Sequence, residues 1–418
     1  MKCTFHAPQA TRPLCWGIAC CTVWFYFPFG VLLPYLCSDL VYSVYFNDDT
    51  TQVLEQVRQA MDANDARNEA SLRYVEALPL RNTSVDTSGA FDVTVAIVTR
   101  NRGWSVITKN LQLGYLTQTF ASLHRAAADS RLRVKLFVCN VDAQPDTFRE
   151  ASALHEHVHT FTKYSSKTAH IPEDLYEKQK QDYSDCLKQS AATWRSQYVV
   201  MFEDDVIVRH SFFRELSALL RTELVLQRER RRLEPRDLAF IKLTYPSQWR
   251  GFSLSSNAFE LVGIALLSAS LCHVVFTLCF MRLLPRWCTQ HNSTSVIHSS
   301  TAVGALWCTM LCYVIGRPYI AQVFTLHPGL FRLQFGAPGC CILSVLYPSA
   351  IVPRLVDYLQ STTCHIDFAV DSAIDAFATQ HSLYSFRSEP NLGTHIGMLS
   401  GLRRSAKVAA HFLDRNLL

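Results

Sequence analysis

Three consecutive acids, Glu203-Asp204-Asp205, follow the apolar run Tyr198-Val-Val-Met-Phe202, and Val206-Ile-Val208 resumes a strand directly after them. Carboxylates at the edge of a core are costly unless something cationic neutralises them. A divalent ion is the natural partner, shared with substrate phosphates where a protein supplies only one or two carboxylates. A tight interruption between two strands sets this triplet apart from an ordinary solvated turn. A second candidate is His155-x-His157-x-His159, since alternate residues share a strand face and three imidazoles can bind zinc. No carboxylate or cysteine is evidently placed to complete that set. A third is Cys364-His-Ile-Asp-Phe-Ala-Val-Asp-Ser-Ala-Ile-Asp-Ala-Phe377, which contains Asp367, Asp371 and Asp375. Here Ala373, Ile374 and Phe377 form a helical stripe for burial, with Asp371 as the cap of the helix.

The elements that must position these groups alternate between strand and helix. Phe91-Asp-Val-Thr-Val-Ala-Ile-Val98 is a β-branched apolar run, Thr117 to Ala128 an amphipathic helix, Val134 to Val138 a strand, Gln179 to Thr193 a helix, and Tyr198 to Phe202 a strand. This order predicts an α/β domain with a largely parallel sheet, whose ligands sit at the carboxyl ends of strands. Upstream, residues 39–90 read as a stem, with Leu54, Val57, Met61, Leu72 and Val75 at helical spacing. The mixed charges from Arg221 to Asp237 read as a solvated helix.

The 418 residues are 49% hydrophobic and 18% charged, too apolar for a disordered or nucleic-acid-coating chain. The formal excess of five positive charges has one source. Residues 261–356 contain no Asp, Glu or Lys but five arginines, Arg282, Arg286, Arg317, Arg332 and Arg354, which leaves 35 basic against 35 acidic residues elsewhere. A nearly ion-free segment is the mark of membrane insertion rather than of an anion-binding surface. Three stretches approach the roughly 20 apolar residues that a span requires: Leu14 to Cys37, Leu261 to Met281, and Ser299 to Ile315. The first is too long for a signal-peptide core and reads as a retained anchor. The other two form a hairpin. Lys2 and Arg12 before the first span, with Arg282 and Arg286 in the link between the others, predict a cytosolic tail and a cytosolic link. The blocks on either side of the hairpin then share the lumenal face. Of the two sequons, Asn82 is expected to carry glycan and Asn292 is not. Five cysteines, Cys139, Cys186, Cys340, Cys341 and Cys364, fall in the oxidising compartment, so one or two disulfides are expected, with pairing open.

On these residues the chain resembles the nucleotide-sugar glycosyltransferases of the GT-A fold. Phe202-Glu203-Asp204-Asp205 is similar to their metal-binding "DXD" element, with Glu203 where the first aspartate usually stands. Ala96-Ile-Val-Thr-Arg-Asn-Arg102 is similar to the first strand and loop that hold the nucleotide. Phe335-Gly-Ala-Pro-Gly-Cys-Cys341 resembles a glycine loop near the donor, and Glu389-Pro-Asn-Leu-Gly-Thr-His395-Ile-Gly397 a C-terminal histidine segment that returns to the metal. With the hairpin between acidic motif and glycine loop, the order resembles the Golgi family that adds N-acetylgalactosamine to the mannose core of protein-attached glycosylphosphatidylinositol (GPI) anchors.

The resemblance implies a metal-dependent, inverting transfer from UDP-GalNAc, with a lipid-linked GPI glycan as acceptor and the membrane as partner. Glu203, Asp205 and His395 are the implied ligands of Mn²⁺ or another divalent cation. Thr99, Arg100, Arg102, Asp204, Gly336 and Gly339 are implied at the donor. Asp371, with Asp367 as substitute, is the implied general base. The expected layout is a cytosolic tail (1–13), transmembrane anchor (14–37), lumenal stem (38–90), a GT-A-like domain in two parts (91–258 and 318–418) and a hairpin insertion (259–317). An N-glycan-branching N-acetylglucosaminyltransferase is the enzyme alternative, but that group carries a single anchor and no hairpin. A non-enzymatic polytopic membrane protein is the other, and there the spans offer only His273 as an ionisable group besides cysteines and tyrosines, where such proteins use intramembrane charge.

Overall fold

A computed structural model describes residues 25–38, 40, 43–46, 50–80, 90–101, 113–165, 171–245, 258–283, 293–321, 331–336 and 341–397. The first part of the expected N-terminal span (14–24), both sequon asparagines, Arg102, Gly339 and Cys340 lie outside them. The chain divides into two compact units, residues 1–53 with 250–320, and residues 54–249 with 321–418.

The larger unit is built on a mixed sheet of eight described strands in the order β3-β2-β1-β4-β8-β6-β9-β7. β1 (Phe91–Thr99), β2 (Val134–Asn140), β3 (His159–Thr162) and β4 (Ser196–Glu203) run parallel to one another. The other half is β6 (Leu238–Thr244), β7 (Arg332–Phe335), β8 (Ser344–Pro348) and β9 (Tyr384–Glu389). β8 runs antiparallel to β4 and β6, and β7 antiparallel to β9. β6 and β9 pair in parallel, so four of the seven neighbouring pairs are parallel and three antiparallel, and the expectation of a largely parallel sheet is corrected to a mixed one. The antiparallel strands are short apolar runs in the second block of sequence, where no crossover helix announces direction.

Helices α1 (Thr50–Glu76), α2 (Tyr115–Ala128), α3 (Arg149–His155), α4 (Leu175–Thr193), α5 (Phe212–Ala218) and α6 (Leu224–Arg231) precede the apolar pair. The β-branched residues of β1 explain its position: Val93, Val95 and Ile97 pack on one face with Phe120 and Leu123 of α2, while Ala96 joins Cys186 and Leu187 of α4 on the other. Strands buried on both faces carry unbroken apolar runs. Cys139 of β2 and Cys186 of α4 form a disulfide.

The segment read as a stem docks on this unit. Asn64 of α1 donates to the Leu113 carbonyl at 3.1 Å and accepts from Gln118 at 3.0 Å, Tyr74 pairs with His124 at 2.8 Å, and Val75 enters the core. The three histidines lie on different elements, His155 ending α3, His157 in the turn and His159 opening β3, so they share no strand face.

The smaller unit holds α7 (Ala258–Leu283) and α8 (Ser293–Ile315), each with a segment long and apolar enough to cross a membrane. His273 beside Thr301 and Glu260 beside Arg317 make the pair antiparallel. Phe259, Leu266, Leu267 and Leu271 stand exposed, as a lipid-facing surface requires. Within this unit Phe29 and Leu33 pack with Trp307 and Val314 of α8, and the Ser43 hydroxyl donates to the Val314 carbonyl at 2.8 Å.

Candidate active site

β4 ends at Glu203 and β5 (Val206–Val208) begins at once, so Asp204 and Asp205 form the turn between them. Their side chains part company. Asp204 accepts the Thr99 hydroxyl at 2.7 Å, and its carbonyl accepts the Thr119 hydroxyl at 2.7 Å. It thus ties the end of β4 to the end of β1 and to α2. These two strands flank the point where the sheet order reverses, since the chain passes from β1 to β2 and β3 on one side and then to β4 on the other. α/β folds take ligands at such a point.

Asp205 faces the other way. β10 (Gly393–His395) pairs antiparallel with β5, setting His395 opposite Val206, and the Ile396 N–H donates to the Asp205 carbonyl at 2.8 Å. His395 Nε2 consequently lies 3.1 Å from Asp205 Oδ2. Asp205 is 1% exposed and His395 side chain 20% exposed, so the imidazole is the side of the pair open to a ligand. Gly397, the last residue of the C-terminal segment but given no role of its own from sequence, closes the contact: a Cβ there would fall 2.0 Å from Asp205 Oδ2 and 2.7 Å from His395 Nε2. Only a residue without a side chain fits.

Glu203 donates its N–H to the Leu343 carbonyl at 2.9 Å and electrostatically faces Tyr183 of α4. Among the described residues no three His, Cys, Asp or Glu groups converge closely enough to hold a metal by themselves. The Asp205–His395 pair still suits a divalent ion whose remaining ligands are phosphate and water, because such ions often take only one or two protein carboxylates.

Cations gather at the carboxyl ends of β1, β2 and β3. Lys178 of α4 donates to the Val141 carbonyl at 3.0 Å and pairs with Asp182, and Lys163 lies 2.9 Å from both Asp182 and Asp185. Burial holds the Lys178 ammonium below its usual pKa, opposed by Asp182, with Arg100 a smaller influence in the same direction as burial. Neither lysine was singled out from sequence. Each follows or faces a strand end only once the sheet is assembled, although Lys178 and Asp182 at helical i,i+4 spacing were a readable sign. Asn101 donates its N–H to Asp142 at 2.8 Å, bracing the loop after β1.

α9 (Val352–Ser361) and α10 (Val370–Gln380) cover the α4 face of the sheet. Ala369 is the N-cap of α10, so Asp371 sits inside its first turn rather than at the cap. Its carboxylate accepts the N–H groups of Ser372 at 2.9 Å and Cys341 at 2.8 Å. Cys341, itself disulfide-bonded, leads through Ile342 to Leu343, the partner of Glu203. Asp371 is thereby tied to the segment beside the acidic motif, while Asp367 is exposed on the preceding loop. Ala373, Ile374 and Phe377 are buried as the stripe required. Gly336 has φ +78° and open space around a Cβ, so it serves the turn after β7 rather than a close approach.

An acidic turn met by a histidine and flanked by cations, at the reversal of a mixed sheet, defines an α/β protein with its ligand site at the strand ends. Its kind is given by a family model: residues 93–394 match that of the GPI-N-acetylgalactosamine transferase PGAP4. The chain belongs to that glycosyltransferase family. The match runs from β1 to β10, and both apolar helices fall within its span.

Gly397→Ala tests the tight contact. The added methyl must displace the Asp205 carboxylate, and displacements of about 1 Å at a reacting centre cost about a hundredfold in rate. A fall of that order in kcat/KM is expected, with a thermal midpoint close to wild type.

Proposed function

We propose that the protein is a metal-dependent, inverting glycosyltransferase that moves N-acetylgalactosamine from UDP-GalNAc to the mannose core of protein-attached GPI anchors in the Golgi lumen. The observation that carries this reading is the Asp205–His395 contact at the sheet reversal, in a chain of the GPI-N-acetylgalactosamine transferase family. The α/β unit is then a GT-A-like domain interrupted by a transmembrane hairpin, α7 and α8, behind an N-terminal anchor. A glycan on a lipid lies within reach of the headgroups, which suits a domain tied to the bilayer.

Asp205 and His395, with Glu203, are the residues that would hold Mn²⁺. When bound, such an ion supplies charge neutralisation on the diphosphate as it leaves. Arg100, with Arg102, would take phosphate oxygens in a guanidinium fork, and Lys163 and Lys178 add positive charge at the same strand ends. Thr99 and Asp204 hold the turn from beneath. Asp371 accepts the proton of the attacking mannose hydroxyl at a carboxylate oxygen, from the face opposite the leaving group. Its two backbone donors fix the carboxylate for that task.

The donor assignment is tested with full-length protein in detergent, Mn²⁺ and a panel of UDP-sugars, reading UDP release. Turnover of UDP-GalNAc well above the other sugars is expected, and equal turnover of UDP-GlcNAc or UDP-Gal would refute it.

A further inference from the structure

Beneath Asp371 lies a cation that the proposed chemistry has not used. Lys242 is on β6, an interior strand, and is 0% exposed. Strand alternation puts it on the same face as Phe240, and its ammonium lies 5.8 Å from that ring, on the side covered by α10. An ammonium taken wholly out of water is retained only where a carboxylate faces it. Its partner is Asp375, with Oδ2 3.8 Å from Lys242 Nζ, an ion pair too long to be a hydrogen bond. Asp371 is one helical turn before Asp375 on α10, and both carboxylates act electrostatically on Lys242. Two acids therefore share one buried cation, and the upper acid is the one anchored beside the acidic motif through Cys341.

We propose that Lys242 and Asp375 are positioning residues for the transfer, a buried charge pair that pins α10 to β6 and so fixes where the Asp371 carboxylate stands. The inference rests on the reading of Asp371 as the general base. Ionised Asp375 faces Lys242 across 3.8 Å and holds α10 against β6. Once Asp375 is protonated that attraction is lost, and with it the anchor of the helix whose first turn carries Asp371. Burial raises Asp375 to about 6, with Lys242 opposing and Asp371 adding to the rise. Tyr347 of β8 also faces Asp375, and its hydroxyl bonds that of Tyr183 from α4. Asp371 also faces Cys364, which precedes α10. Burial pushes the thiol and both phenols upward, so all stay neutral across the range that matters and the switch belongs to Asp375.

The test follows kcat and KM for transfer to a GPI-anchored acceptor by the full-length protein from about pH 5 to about pH 8. Wild-type kcat is expected to rise with pH through an acid limb near the Asp375 value of about 6. In Asp375→Asn the limb disappears and kcat at neutral pH falls about tenfold with KM unchanged, as for a small misplacement of a reacting group. In Lys242→Met the pair is likewise gone, and kcat is expected at a similarly lowered level without the limb. Variants that scale the whole profile without moving the limb, or leave it untouched, would overturn the inference. Asp371→Asn in the same assay separates the two layers. If it keeps wild-type kcat, the general-base reading fails and takes this inference with it. If it loses activity while the limb of the other variants stays in place, only the role of the pair is refuted.

Discussion

Asp205→Asn is expected to leave the fold intact and to lower sugar transfer by about a thousandfold or more. The amide keeps the shape of the carboxylate and a polar contact with His395, 3.1 Å away, but removes the charge that would hold a cation against the diphosphate. Loss of that charge removes several kcal/mol of transition-state stabilisation, and about 4 kcal/mol corresponds to a thousandfold in rate. The backbone bond from Ile396 to the Asp205 carbonyl does not depend on the side chain, so β5 and β10 remain paired. Initial rates at saturating UDP-GalNAc and Mn²⁺, together with a thermal melt, measure both halves of the expectation. Undiminished transfer would exclude Asp205 from cation binding.

Asp371→Asn carries the second large effect. Removing a general base costs about a hundred- to ten-thousandfold, and here the loss should appear in kcat with KM little changed, because the group acts in the transition state. Asparagine retains an oxygen to accept from Cys341 or Ser372, both within 2.9 Å of the aspartate, so the start of α10 survives. Asp367→Asn, on the exposed loop, is the control and should keep near-normal rates. The reverse ranking would move the base to Asp367.

The strand and helix order was legible because it rests on local pattern. β-branched runs became β1, β2 and β4, and the ion-free segment became α7 and α8. The acidic turn was legible for the same reason: two strands with two residues between them leave no other arrangement. What was not legible depends on contacts across the chain. Asp205 meets His395 from 190 positions away, and nothing local marks Gly397 as the residue whose missing side chain permits it. Asp204 read as a donor-binding residue, yet its carboxylate turns under the sheet to Thr99, a contact set by the register of β1 and β4. Lys163, Lys178 and Lys242 were not singled out in the sequence, because a lysine's burial is decided by the carboxylate that tertiary packing brings to it. The pairing of Cys139 with Cys186 likewise emerges only when α4 lies across β2.

The most direct measurement is mass spectrometry of a GPI-anchored acceptor after incubation with full-length protein, UDP-GalNAc and Mn²⁺. The account predicts one added N-acetylhexosamine on the core mannose, abolished by chelation of the metal and by Asp205→Asn. An acceptor of unchanged mass, or the same addition in the presence of chelator, would contradict it.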